Sequence, residues 1–158
     1  MFIITAKFNK KKVIAALIVL VVLVAAVVLI VTGGGGDGSP AASLTAVVKN
    51  NEQRVSYLES FGWQVSQDPI DQQDIIIPKE FNDVYTQYNE IQKAQGFDLQ
   101  KYGGLEAVRY TYQVTNHPTE EGTVVADIIV YRNQVIAGDI QCLASDGAMS
   151  GLAFPTGS

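Results

Sequence analysis

Residues 13 to 31 are Val, Ile, Leu and Ala throughout, without one polar side chain, whereas beyond residue 50 polar and apolar positions recur with helical and strand periods. Nineteen helical residues span about 28 Å, close to the ~30 Å hydrocarbon core of a bilayer. Lipid offers the backbone no hydrogen-bond partner, so the run must be helical there despite the weak helix propensity of valine in water. A cleaved signal peptide has a shorter apolar region, roughly 7–15 residues, and a small-residue cleavage site. Here Thr32-Gly33-Gly34-Gly35-Gly36-Asp37-Gly38-Ser39-Pro40 follows instead, with no cysteine beside it for a lipid anchor. The pattern predicts an uncleaved transmembrane helix over 13–32 and a flexible glycine-rich linker over 33–42. The glycines lack the Gly-Lys-Ser/Thr ending of a phosphate loop.

The remainder, 43–158, reads as one α+β domain. Asn51 is an N-cap residue type, Val55, Leu58 and Phe61 recur at spacings of three, and Gly62 can end a helix in the left-handed conformation. Trp63 and Val65 alternate with Gln64 and Ser66 as a short strand. Ile75-Ile76-Ile77, stopped by Pro78, is a second strand. Phe81, Val84, Tyr85, Tyr88 and Ile91 then hold helical spacing, with Glu80 and Asp83 at the start, Lys93 near the end and Gly96 as the stop. Val108, Tyr110, Tyr112 and Val114 alternate with polar positions as a half-buried strand. Val124 to Tyr131 is apolar almost throughout, apart from Asp127, and so belongs in the middle of a sheet. Arg132-Asn133 reads as a tight hairpin turn leading into a last strand, Val135 to Leu143, in which Gly138 marks a bulge or a close backbone approach. The predicted order is α-β-β-α-β-β-β: one antiparallel sheet of about five strands with both helices packed on one face.

Charge gives the chain a direction. Lys7, Lys10, Lys11 and Lys12 precede the apolar run and no basic residue follows it before Lys49. Basic flanks stay on the cytoplasmic side. A cytoplasmic tail over 1–12, a single span in the cell membrane and an extracellular C-terminal domain follow. Four of the 11 basic residues lie in that tail, so seven face 16 acidic residues in the domain, a net charge of −9. An acidic surface of that kind is repelled by phosphate backbones, which argues against a nucleic-acid partner. The single cysteine, Cys142, rules out an internal disulfide and reads as a small buried hydrophobe within a strand.

The stretch from Tyr88 to Leu99, with Tyr102-Gly103 and Arg109-Tyr110-Thr111-Tyr112, resembles an uncharacterised bacterial family known as domain of unknown function 4830. Arg54, Leu58, Gly62-Trp63, Ile77-Pro78, Phe81, Gly138-Asp139, Asp146-Gly147 and Gly151-Leu152 extend the resemblance over about residues 51–152. Ala137 and Ala148 depart from it, where a glycine and an aromatic residue are expected. The resemblance implies a surface-exposed or lipoprotein-like setting and no activity.

Candidate chemistry is sparse. Asp68, Asp71 and Asp74 lie three apart in a loop-like segment and offer carboxylates for calcium, but no EF-hand pattern surrounds them. Cys142, His117 and Asp139 or Asp127 contain the types of a Cys-His-Asp set, which needs convergence in space. Tyr85, Tyr88, Tyr110 and Tyr112 offer an aromatic platform, although their periods fit core packing. Asn89 and Gln92 lie beside the apolar face of the second helix, placed either to bond buried backbone or to line a polar pocket. No nucleophile motif and no metal motif is present. The reading names no catalytic, cofactor-binding or metal-binding residue, and no cofactor. It expects a non-catalytic binding module, anchored in the bilayer by Val13 to Val31 and meeting a protein or cell-envelope partner. The alternatives are a structural or regulatory subunit that pairs through its membrane helix, and an enzyme of unrecognised class.

Overall fold

The computed structural model describes residues 45–118, 122–144 and 148–156. The apolar run, the linker and Asp146-Gly147 lie outside the described residues. Among the described residues, no helix is long and apolar enough to cross a membrane.

Helix α1 (Asn51–Glu59) is followed by strand β1 (Asp71–Ile76), helix α2 (Asp83–Gln95), a 3₁₀ turn (Leu99–Tyr102) and strands β2 (Glu106–Val114), β3 (Val124–Tyr131), β4 (Gln134–Cys142) and β5 (Met149–Ser150). The five strands form one antiparallel sheet in chain order, each paired to its neighbour in sequence. From β2 onward the short connections favour this meander, because consecutive strands meet with the least loop to close, whereas β1 joins β2 across α2 and the 3₁₀ turn.

The helices lie on opposite faces, which corrects the expectation of two helices on one face. Side chains alternate across a strand, so even and odd positions of β2 and β3 belong to different faces. On the even face, Tyr112, Ala126, Ile128 and Ile140 pack with Tyr57 and Leu58 of α1, Trp63 and Leu152. On the odd face, Ala107, Ile129 and Ala137 pack with Ile77 and Leu99, and Phe81 and Tyr88 close over them beside α2. A three-layer α-β-α arrangement therefore hides the central strand from both sides, and all of β3 except its last residue is buried. That explains why its apolar run shows no alternation.

Local chemistry sets the boundaries. Asn50, not Asn51, caps α1 by accepting from the Gln53 amide at 2.9 Å. Asn51 instead donates to the Gln67 carbonyl and accepts from the Tyr112 hydroxyl. Helix α2 starts at Asn82, which accepts from the Tyr85 amide, and stops at Gly96 with φ 99°. The turn between β3 and β4 holds Arg132 and Asn133 at φ 47° and 66°, the mirror-image turn that suits hairpin twist.

Two predicted strands change. Trp63 to Val65 makes only an isolated bridge, Val65 to Val114, because Trp63 is drawn inward and its indole donates to the Leu152 carbonyl at 2.7 Å. The strand expected at Ile75–Ile77 begins earlier, at Asp71. Its first four residues are exposed, so pairing with Thr111 to Val108 holds them rather than burial. Between Ile129 and Val130 the register shifts and Ile136 is left over as a bulge. Gly138 takes the other role expected of it: a Cβ there would stand 2.7 Å from Leu152 Cδ1 and 3.1 Å from the Asp127 carbonyl.

Candidate functional site

Between α2 and the odd face lies a cavity of about 420 Å³. Ile75, Ile77, Leu99, Ile129, Tyr85 and Met149 give it apolar walls. Its floor is polar, because β2, β3 and β4 present Thr111, Asp127, Asp139 and Gln141 to the same space. The register explains the convergence: Asp127 pairs with Asp139 across β3 and β4, and with Thr111 across β2 and β3. Directly opposed strand residues have Cβ atoms about 4.5–5.5 Å apart, so the two carboxylates face one another.

Both are buried, Asp127 at 5% exposure and Asp139 at 1%. Gln141 bridges them, its Nε2 donating to Asp127 Oδ2 and to Asp139 Oδ2 at 3.1 Å each. The Thr111 hydroxyl donates to Asp127 Oδ1. The Tyr88 hydroxyl donates to Asp139 Oδ1 at 2.6 Å. All four bonds come from neutral donors. Burial, followed by the negative charge of Asp127, pushes the Asp139 carboxyl up to about 7. Burial also raises Asp127 above its ordinary value, opposed in part by Arg109. Two carboxylates this close in an apolar setting resist ionising together. Tyr88, buried against both, is held well above the usual tyrosine range.

Arg109 lines the same cavity, and its charge works against the raised carboxyls of both Asp127 and Asp139. Its Nη2 donates to Gln73 Oε1 at 2.7 Å and lies 3.8 Å from Asp71 Oδ2. Its Nε is buried without a partner.

The sequence candidates are dispersed. Cys142 belongs to the even-face core and His117 stacks on Trp63 at 5.6 Å, so neither meets Asp127 or Asp139 across the sheet. Asp71 and Asp74 sit three apart on a strand and so point to opposite faces. Among the described residues no three His, Cys, Asp or Glu side chains could hold a metal ion. The tyrosines also part company. Tyr112 is buried under α1, Tyr110 lies 3.9 Å beneath the Arg54 guanidinium, and Tyr85 and Tyr88 border the cavity.

Asn89 and Gln92 do bond buried backbone. Asn89 accepts from the Leu99 amide at 2.8 Å and donates to Asp98. Gln92 accepts from the Gly138 amide at 3.0 Å, while Gln95 donates to the Gly138 carbonyl at 2.8 Å and accepts from the Leu152 amide at 2.6 Å. Two glutamines thus replace a neighbouring strand at Gly138.

The architecture and the cavity define a class: a small α-β-α meander domain with a carboxylate pair in a half-apolar pocket. The chain belongs to the family described as Domain of unknown function (DUF4830), whose pattern matches residues 57–140, more than half of its length. That span contains Tyr88, Thr111, Asp127 and Asp139. No curated protein and no solved structure matches the chain.

Proposed function

We propose that this protein is a single-pass membrane protein whose exterior domain is a non-catalytic binding module, with the cavity between α2 and the sheet as its ligand site. The cavity carries this reading. Pockets of 300–1,000 Å³ with apolar walls and a few convergent polar groups are the usual form of small-molecule sites. The nineteen-residue apolar run and the four lysines before it support the anchor and its direction. The glycine-rich linker leaves the domain free to present the pocket away from the lipid.

The test is a small-molecule screen on the full chain in lipid nanodiscs, read by NMR. Shifts should gather at Thr111, Asp127 and Gln141 and vanish in Ile129→Trp, which fills the cavity. Hits that ignore that substitution would remove the pocket from the proposal. Protease treatment of intact cells should digest the domain, and protection of the domain would reverse the orientation.

A second reading has one observation behind it. A buried carboxyl that exchanges its proton near pH 7 beside a second carboxylate is also the equipment of general acid–base catalysis. Chemical turnover of a bound hit, abolished by Asp139→Asn, would favour it.

A further inference from the structure

Given a ligand site in this cavity, we infer that its ligand is a small organic cation: a protonated amine on an apolar body, with its ammonium seated against Asp127 and Asp139. The inference rests on charge and on acceptor capacity. Each carboxylate already receives two bonds, from Thr111, Tyr88 and the shared Gln141 amide. An ionised carboxylate has about four acceptor sites. About half of that capacity is open, and both groups line the cavity.

Among the described residues Arg109 is the cation whose charge reaches the pair, and it does so without an ion pair to either carboxylate. Among the described residues neither carboxylate is in an ion pair, and the nearby guanidinium of Arg109 is committed to Gln73 and Asp71. Asp71 also borders the cavity, so three carboxylates face one guanidinium. Buried charge of one sign is costly until an opposite charge joins it. A bare divalent ion suits the space poorly, because it wants six or more oxygens and would leave the apolar walls empty. An ammonium donates up to three hydrogen bonds, and an attached hydrocarbon would lie against Ile75, Ile77, Leu99 and Ile129. Tyr85 also lines the cavity and brings an aromatic ring of the kind that attracts cations.

The experiment uses the full chain in phosphatidylcholine nanodiscs, with empty nanodiscs subtracted. The probes are cyclohexylmethylamine, its neutral counterpart cyclohexylmethanol and the anion cyclohexanecarboxylate, titrated at pH 8 by NMR. The amine should bind at least about tenfold more tightly than the alcohol, as charged hydrogen bonds allow. Asp127→Asn combined with Asp139→Asn should erase that preference while the alcohol still binds, which shows that the pocket has folded. Equal binding of amine and alcohol, or preference for the carboxylate, would overturn the cation and leave the pocket. If no probe shifts a cavity residue, the pocket reading itself falls, and the cation with it.

Discussion

Replacing Asp139 by asparagine tests the electrostatics of the cavity most directly. In the folded chain this carboxyl holds its proton up to about pH 7, against 3.8 in the ordinary case. Its folded-state pKa is raised, so the folded protein binds the proton more tightly than the unfolded chain does. Stability therefore falls as pH rises from about 4 to about 7 and is level on either side. Moving a carboxyl over that interval carries a ceiling of about 4 kcal/mol. Relaxation and water entry reduce this, so a loss of about 2–4 kcal/mol is expected. Asp139→Asn removes the titration and relieves Asp127 of its charged neighbour. Its amide still accepts from Tyr88. Urea unfolding of both full-length proteins can be followed through Trp63, the only tryptophan, at steps from pH 4.5 to 8. Subtracting one curve from the other cancels the carboxylates other than Asp127, whose raised carboxyl moves back toward its ordinary value once Asp139 carries no charge. The variant should gain on the parent steadily through that window. A flat difference would mean that Asp139 ionises as an ordinary aspartate, and the account of a strained carboxylate pair would be wrong.

Other substitutions probe separate parts of the argument. Gly138→Ala should cost about 1–3 kcal/mol in chemical denaturation, because its Cβ meets Leu152 and the Asp127 carbonyl; an unchanged midpoint would refute the close approach. Gln92→Leu should cost about 1–3 kcal/mol and speed hydrogen exchange at the Gly138 amide, which loses its acceptor. Leu58→Ala should cost about 2–5 kcal/mol, since the side chain is wholly buried under the even face. Tyr88→Phe should raise the pKa of Asp139 further in a carboxyl-carbon NMR titration, because its hydroxyl favours the ionised form.

What the sequence disclosed was local. Gly96 and the Arg132-Asn133 turn were readable because each depends on neighbours a few residues away. The opposite placement of the helices was hidden, since it depends on which parity of β2 faces α1, and Tyr110 and Tyr112 looked alike to either helix. Strand β1 escaped for another reason. Its Asp71-Gln72-Gln73-Asp74 segment shows no hydrophobic period, because pairing with β2 fixes it and burial does not. The carboxylate pair needed the β3–β4 register, which brings Asp127 opposite Asp139 twelve residues later. One signal was present: Asp127 interrupts a strand that is otherwise apolar, and a charge in a strand buried on both faces must have a reason.

Strand β4 has no bare outer edge where aggregation could begin. Val47 bridges to Gln134 at one end, β5 pairs with Ile140 and Gln141 at the other, and the two glutamines of α2 occupy Gly138 between them. Of the two edge strands, β5 is only two residues long, so growth of the sheet by adding strands falls to β1, where Asp71 and Asp74 put like charges on any second copy that approaches in register. Copies crowded together on one surface would thus meet edge to edge only against repulsion, and the domain's acidic surplus would keep neighbouring domains from fusing into fibres.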